Sequence, residues 1–209
     1  MQNRTARSVR RSGAVVMTAI AAAACSSAPS MTCQYQGSPE GVAERPSPFD
    51  SAMVEVDSAR FKLCYSRPSA RGRVVFGELV PYDTLWRTGA NEATVLHLSA
   101  DAEVAGIPVD AGAVSLYTVP NPEQWTVVVN GTTGQWGLTM DAYGAEGNFF
   151  PNAYTDEVRA GELGRRPVEV DSIPFTEQLT ARFSPPEGGA TELWVDWETT
   201  RVRIPIAVR

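Results

Sequence analysis

The sequence predicts an all-β fold: a two-sheet antiparallel β-sandwich of jelly-roll or immunoglobulin-like type, with about nine or ten strands. Three observations carry this. From Met53 onward, short runs of alternating apolar and polar residues are separated by Gly, Pro, Asn and Asp, the pattern of half-buried strands joined by turns. Two pairs of runs are close enough to form hairpins, 113–119 with 124–130 across "PNPE" and 192–198 with 201–209 across "TT". So many short strands cannot close within one small sheet, whereas two stacked sheets bury each other's apolar faces.

The strongest strand segments are "RFKLCYS" (60–66), "TVLHLSA" (94–100), "AVSLYTV" (113–119), "QWTVVVN" (124–130), "QLTARFS" (178–184), "ELWVDWE" (192–198) and "RVRIPIAVR" (201–209). Weaker ones are expected near 53–57, 73–76, 102–106 and 167–171. In the last segment Val202, Ile204, Ile206 and Val208 share one face and Arg201, Arg203 and Arg209 the other. That is a half-buried strand, and Pro205, which lacks a ladder donor, implies an edge. Thr132–Arg166 is less regular and rich in Gly and aromatics, so one long loop excursion over an end or edge of the sandwich is expected there.

Ahead of the sandwich, residues 1–24 contain four arginines and no acid, ending in the small apolar run "AVVMTAIAAAA". This is the pattern of a secretory signal peptide. The following "AAAC", Ala22–Cys25, matches a bacterial lipobox and makes Cys25 the lipidated first residue of the mature chain, with ordinary cleavage after an A-x-A triplet as the alternative. Residues 25–49 are rich in Ser, Pro and Gly and read as a flexible tether. The domain then runs over 50–209. The expected location is the cell envelope, with a lipid at Cys25 as the membrane partner.

Loss of the four leader arginines takes the formal charge from −6 to −10. A nucleic-acid partner is disfavoured, because a phosphate-binding surface needs net or clustered positive charge. Of the three cysteines, assigning Cys25 to the lipid leaves Cys33 and Cys64 as an even pair. In an oxidising compartment they are expected to form a disulfide pinning the tether to a strand, two unrelated thiols being the alternative.

A family resemblance covers roughly Asp50 to the C-terminus. The stretches "YSRPSARGR", "FGELVPY", "LWRTGANEAT", "AGAVSLYTVP", "WTVVVN", "PFTEQLTARF" and "LWVDWETTRVRIPIAV" resemble the bacterial domain of unknown function 2911 family. The resemblance implies an exported β-rich domain and supplies no agreed activity or catalytic residues. Two positions depart from the family pattern. Asp83 stands where a glycine is expected after "VPY", and Cys64 where a β-branched residue is more usual.

Few residues offer chemistry. His97 is the only histidine, and flanked by Leu96 and Leu98 it reads as a solvated or structurally bonded side chain rather than a triad base. No G-x-S-x-G elbow is present. One histidine and a paired set of cysteines leave no clustered ligands for zinc or copper, so no metal or cofactor is expected. Calcium remains a candidate only at "MDAYGAEGN", through Asp141, Glu146 and Asn148, whose spacing matches no defined calcium loop. Carboxylates for glycoside hydrolysis are present as Glu92, Glu192, Asp196 and Glu198, but that mechanism depends on their separation across the bond.

Polar groups are densest between Tyr65 and Thr94. Arg67, Arg71 and Arg73 lie in a turn set by Pro68 and Gly72, and Trp86, Arg87, Asn91 and Glu92 lie in "LWRTGANEAT". Two readings stand side by side. The groups converge on an anionic or polar ligand, or Arg67 or Arg87 pairs with Glu92 or Asp83 while Asn91 caps a turn and Gly89 bends the loop. Separately, alternation in "ELWVDWE" leaves Trp194 beside Glu192 and Asp196, either a stacking platform for a sugar ring or cation or ordinary packing. The function that follows is a cell-envelope lipoprotein whose β-sandwich is a binding or structural module. A carbohydrate hydrolase and a small-anion binder are the alternatives.

Overall fold

The computed structural model describes residues 29–135 and 156–209. Its strands are β1 (Phe49–Val56), β2 (Ala59–Ser66), β3 (Thr94–Leu98), β4 (Ala102–Val104), β5 (Ile107–Val109), β6 (Gly112–Val119), β7 (Trp125–Asn130), β8 (Glu162–Phe183) and β9 (Ala190–Val208). Two single-turn helices accompany them, α1 (Pro39–Ala43) and α2 (Asp156–Ala160). The fold is all-β. Its strands form one antiparallel sheet in the order β1-β2-β3-β6-β7-β8-β9-β4-β5, and the two expected layers are halves of this sheet.

The join between the layers is β8. Its first residues, Glu162–Val168, pair with β7, and from Glu169 to Phe183 it pairs with β9, with register shifts on either side of Thr176. A strand that bends and changes partner lets one sheet turn a corner and face itself. The strand end beyond β2 then meets β8 again, through Ala70 N–H to the Glu177 carbonyl at 2.8 Å and Leu179 N–H to Pro68 at 2.9 Å. Phe61, Leu63, Leu96, Leu98, Val114, Leu116 and Val127 from one layer and Leu179, Leu193, Val195, Trp197 and Ile204 from the other fill a single core.

The hairpin expected over 113–130 is present as β6 and β7. The one expected over 192–209 is not, because Ala190–Val208 is a single strand. Glu198 takes a φ of 54°, and this local kink moves the core-facing set from Leu193, Val195 and Trp197 to Val202, Ile204 and Ile206. Two-residue parity across "TT" therefore marks a shift of face within a strand and not a reversal of the chain. Nor is β9 an edge strand, since it lies between β8 and β4. Pro205 is tolerated because β8 leaves β9 at the Glu169–Arg203 pair, while the Pro205 carbonyl on the other side still accepts from Ala105 N–H at 2.7 Å. The weak strand expected at 73–76 is a turn region, closed by Gly77 N–H on the Val80 carbonyl.

The long excursion falls mostly on residues 136–155, outside the described residues, and ends earlier than expected because β8 begins at Glu162. Calcium candidates Asp141, Glu146 and Asn148, and the lipidation candidate Cys25, also lie outside the described residues. Residues 29–48 run as a strap against the domain. Cys33 is disulfide-bonded to Cys64 of β2, with Cα atoms 5.6 Å apart. The expected bond joins the N-terminal segment to the middle of a strand.

Candidate functional site

The loop Leu85–Thr94 is held by an exchange of backbone hydrogen bonds with β6. Trp86 N–H donates to the Thr118 carbonyl at 2.7 Å, and Thr118 N–H returns to Trp86 at 2.8 Å. Directly opposed residues share a face, so Trp86 points with Thr118 into the core. Its indole stacks on Trp197 at 5.7 Å between ring centroids and meets the edge of Phe76 at 5.9 Å. Alternation sends its neighbours the other way. Leu85 packs beside Tyr117, Val128 and Val158 on the outer face of the sheet, and the positive charge of Arg87 acts there on the Tyr117 hydroxyl, opposing the upward push of burial on its pKa.

Beyond Arg87 the chain makes two left-handed residues, Thr88 at φ 54° and Asn91 at φ 58°. A β-branched residue in this region is strained by about 1–3 kcal/mol. Thr88 is held there by its hydroxyl donating to Thr118 Oγ1 at 3.1 Å and its carbonyl accepting from Thr94 Oγ1 at 3.0 Å, all buried. Gly89, expected as the bend, serves differently. A Cβ on it would lie 2.8 Å from Thr94 Oγ1 and 3.1 Å from the Ser66 carbonyl oxygen, so close approach is what requires the glycine.

The other polar candidates turn away from one another. Glu92 does not pair with Arg87. Its carboxylate takes two hydrogen bonds from Arg45 of the strap, at 2.8 and 2.9 Å, and one from Gln36 N–H at 2.8 Å. Asn91 donates to the Ser47 carbonyl at 3.1 Å. Arg67 reaches β8, donating to the Leu179 carbonyl at 3.1 Å and to Thr180 Oγ1 at 3.0 Å, and ion-pairs with Asp50 of β1. Arg73 folds over its own turn onto the carbonyls of Ala70 and Ser69, at 2.9 and 2.8 Å. Of the two readings, convergence on a ligand or separate structural contacts, Arg67, Arg73, Asn91 and Glu92 follow the second.

A cleft opens in this region. Ser47, Pro68, Arg73, Leu79, Trp86 and Trp197 line about 210 Å³ of it, and Arg87, Gly89 and Ala90 of the motif loop complete the wall. Arg73 is exposed at the rim, with no ion pair among the described residues, and the stacked indoles are buried at the floor. Alternation in "ELWVDWE" puts Trp197 on the face opposite Trp194, with Leu193 and Val195. The place of Trp197 under this cleft depends on Trp86 from a distant loop.

The outer face of β9 is organised otherwise. Trp194 Nε1 donates to Glu192 at 2.7 Å, and the guanidinium carbons of Arg201 and Arg182 lie 4.5 and 5.2 Å from its ring centroid. Both arginines also bond to Asp196, which is buried, at 2.6–3.0 Å. Of the two readings of Trp194, a stacking platform or packing, the ring face that a platform would offer is already covered by the protein's own cations. Arg203 grips Glu192 at 2.8 and 3.0 Å, which holds the Glu192 carboxyl below its ordinary pKa, and also bonds to Glu169 at 3.0 Å.

These carboxylates are poorly placed for glycoside hydrolysis. Glu169 and Glu192 share a cleft of about 370 Å³, but both accept from Arg203, and a lowered pKa is the opposite of what a general acid needs. His97 is buried on β3 with Nδ1 3.1 Å from the Ser30 carbonyl, so that nitrogen carries the proton as donor. Burial lowers its pKa, partly opposed by this contact. Among the described residues no group of three His, Cys, Asp or Glu side chains could hold a metal ion.

Fold and cleft together define an all-β module, stapled to its own N-terminal strap and carrying a small arginine-rimmed cleft. A family model described as protein of unknown function (DUF2911) matches residues 47–206, and the chain belongs to this family. No curated protein and no solved structure matches it.

Proposed function

We propose that the chain is an exported cell-envelope lipoprotein, anchored through Cys25, whose β-domain is a binding module for a small anion with an apolar body. The observation that carries the binding reading is the cleft itself: a cationic rim at Arg73 above a floor of stacked Trp86 and Trp197. A guanidinium pairs with a carboxylate while an aromatic floor takes an apolar body. The volume, about 210 Å³, falls below the ~300–1,000 Å³ of sites for drug-sized ligands. A compact aromatic or short-chain carboxylate suits it better than an oligosaccharide. Export and anchoring are supported by the leader and "AAAC", and by a disulfide of the kind that persists in oxidising compartments.

Two measurements test this. Titration calorimetry with benzoate is expected to give saturable millimolar or tighter binding, weakened about tenfold by Arg73→Gln, the loss of one charge-assisted hydrogen bond. Absence of binding, or equal binding by the variant, contradicts the cleft reading. Membrane fractionation is expected to find the protein with membranes and the Cys25→Ser variant released. A variant that remains with membranes contradicts the lipid anchor.

A further inference from the structure

The strap is attached to the domain without strand pairing, and one of its links is reducible. Among the described residues between Ser30 and Arg45, the disulfide reaches Cys64, the Ser30 carbonyl reaches His97, Gln36 and Arg45 reach Glu92, and the Tyr35 ring lies 5.5 Å from that of Phe49. No strand pairing supports this stretch. The first backbone hydrogen bond from the strap to the sheet region is at Pro48, whose carbonyl accepts from Arg67 N–H at 2.9 Å. Segments with few backbone bonds open independently of a core, so the covalent link carries much of the docking.

We propose that Cys33–Cys64 is a redox latch, a modification site for a dithiol reductant that releases the strap while the β-domain stays folded. The two sulfurs differ in a way that sets the direction of attack. Cys33 is half-buried on the irregular strap, whereas Cys64 is 2% exposed within β2. A thiolate of the reductant attacks Cys33 Sγ, and the Cys33–Cys64 bond breaks with its electron pair on Cys64, which takes up a proton. The second thiol of the reductant then attacks its own sulfur in the mixed disulfide. Cys33 leaves and is protonated, and the reductant closes as a disulfide, so two electrons and two protons pass to the protein.

A cation lies on the Cys64 face of β2. Alternation along β2 places Lys62 on the same face as Cys64, and the charge of Lys62 is felt by His97 on the neighbouring strand. A nearby cation stabilises a leaving thiolate. Once the bond is broken, the contact of Ser30 with His97 has no covalent support, and residues 30–45 are left with non-covalent contacts, chiefly the Glu92 carboxylate and the ring of Tyr35 against Phe49 of β1. The core needs no rearrangement, because β2 keeps its ladders to β1 and β3.

The test is hydrogen exchange by mass spectrometry on the full exported protein, with and without dithiothreitol in the absence of denaturant. Reduction is expected to proceed without unfolding. It should raise exchange of the 29–45 peptides about tenfold or more, as expected for loss of a local closing interaction, while peptides of β2, β3 and β8 keep their protection. Unchanged strap exchange after complete reduction overturns the proposal. So does loss of protection in β2 and β3 together with the strap, which would make the bond a global staple. The Cys33→Ser variant provides an independent arm and should show the reduced pattern without any reductant. If that variant shows the oxidised pattern, the latch is wrong.

Discussion

The loop Leu85–Thr94 and the outer face of β9 are built from the same kinds of side chain, a tryptophan with arginines and acids close by, and use them in opposite ways. In the loop three of the side chains reach segments distant in sequence. Glu92 takes Arg45, Asn91 takes the Ser47 carbonyl, and Trp86 lies on Trp197. On β9 the groups bond mainly to one another and to adjacent strands, Glu192 to Trp194 and Arg203, and Asp196 to Arg182 and Arg201. The first arrangement fixes the shape of a loop and leaves an apolar-floored cleft behind it. The second arrangement neutralises a surface. A tryptophan beside charges is thus no guide to a ligand until its partners are known.

Substitutions can break this contrast. The largest effect is expected from Trp86→Ala, about 3–5 kcal/mol of lost stability in denaturant unfolding, since the ring is buried and its loss leaves a cavity. Next comes Glu92→Gln, at about 2–3 kcal/mol, because it removes the carboxylate charge facing Arg45, whose side chain is only 17% exposed. Glu192→Gln should cost about 1 kcal/mol or less, since its pair with Arg203 is more exposed. Equal costs for the two glutamates would erase the distinction drawn between the regions.

The same β9 pair sets an acid dependence. Arg203, by hydrogen bonding, depresses the folded pKa of Glu192 below its ordinary 4.5. A depressed carboxylate pKa contributes stability that is present above the unfolded value and lost as pH falls through the folded one. Stability measured downward from pH 4.5 should therefore fall less steeply in Arg203→Gln than in the parent, and identical acid limbs would contradict this.

The smallest effect is expected at Asp83, where the family pattern has glycine. Asp83 sits at φ 59°, a conformation glycine adopts freely, and its carboxylate accepts from Asn121 Nδ2 at 2.7 Å. Asp83→Gly exchanges that exposed bond and some unfolded-chain entropy for relief of strain, so its melting curve should move by no more than about 0.5 kcal/mol in stability.

Much of the fold could be read from residue order because strand faces follow a two-residue period. The Val202–Ile206 stripe, the β6–β7 hairpin and the Cys33–Cys64 pairing are of this local or arithmetic kind. The continuity of β9 was hidden because a one-residue kink at Glu198 and a true turn at "TT" leave the same trace in the alternation. The site was less legible for a different reason. Arg45 lies 47 residues from Glu92 and Thr180 lies 113 from Arg67, and residue type does not say which distant partner a charge will find. At Asp83 the φ of 59° accounts for the glycine expected there, a conformation that the residue types alone do not announce.

The central claim is that the ligand-accepting surface is the Trp86–Trp197 cleft and not the Trp194 face. Nitrogen-15 indole resonances followed through a benzoate titration test it most directly. Saturable shifts at Trp86 and Trp197 with Trp194 unmoved are the predicted result, and shifts confined to Trp194, or no saturable shift at any indole, would contradict the account.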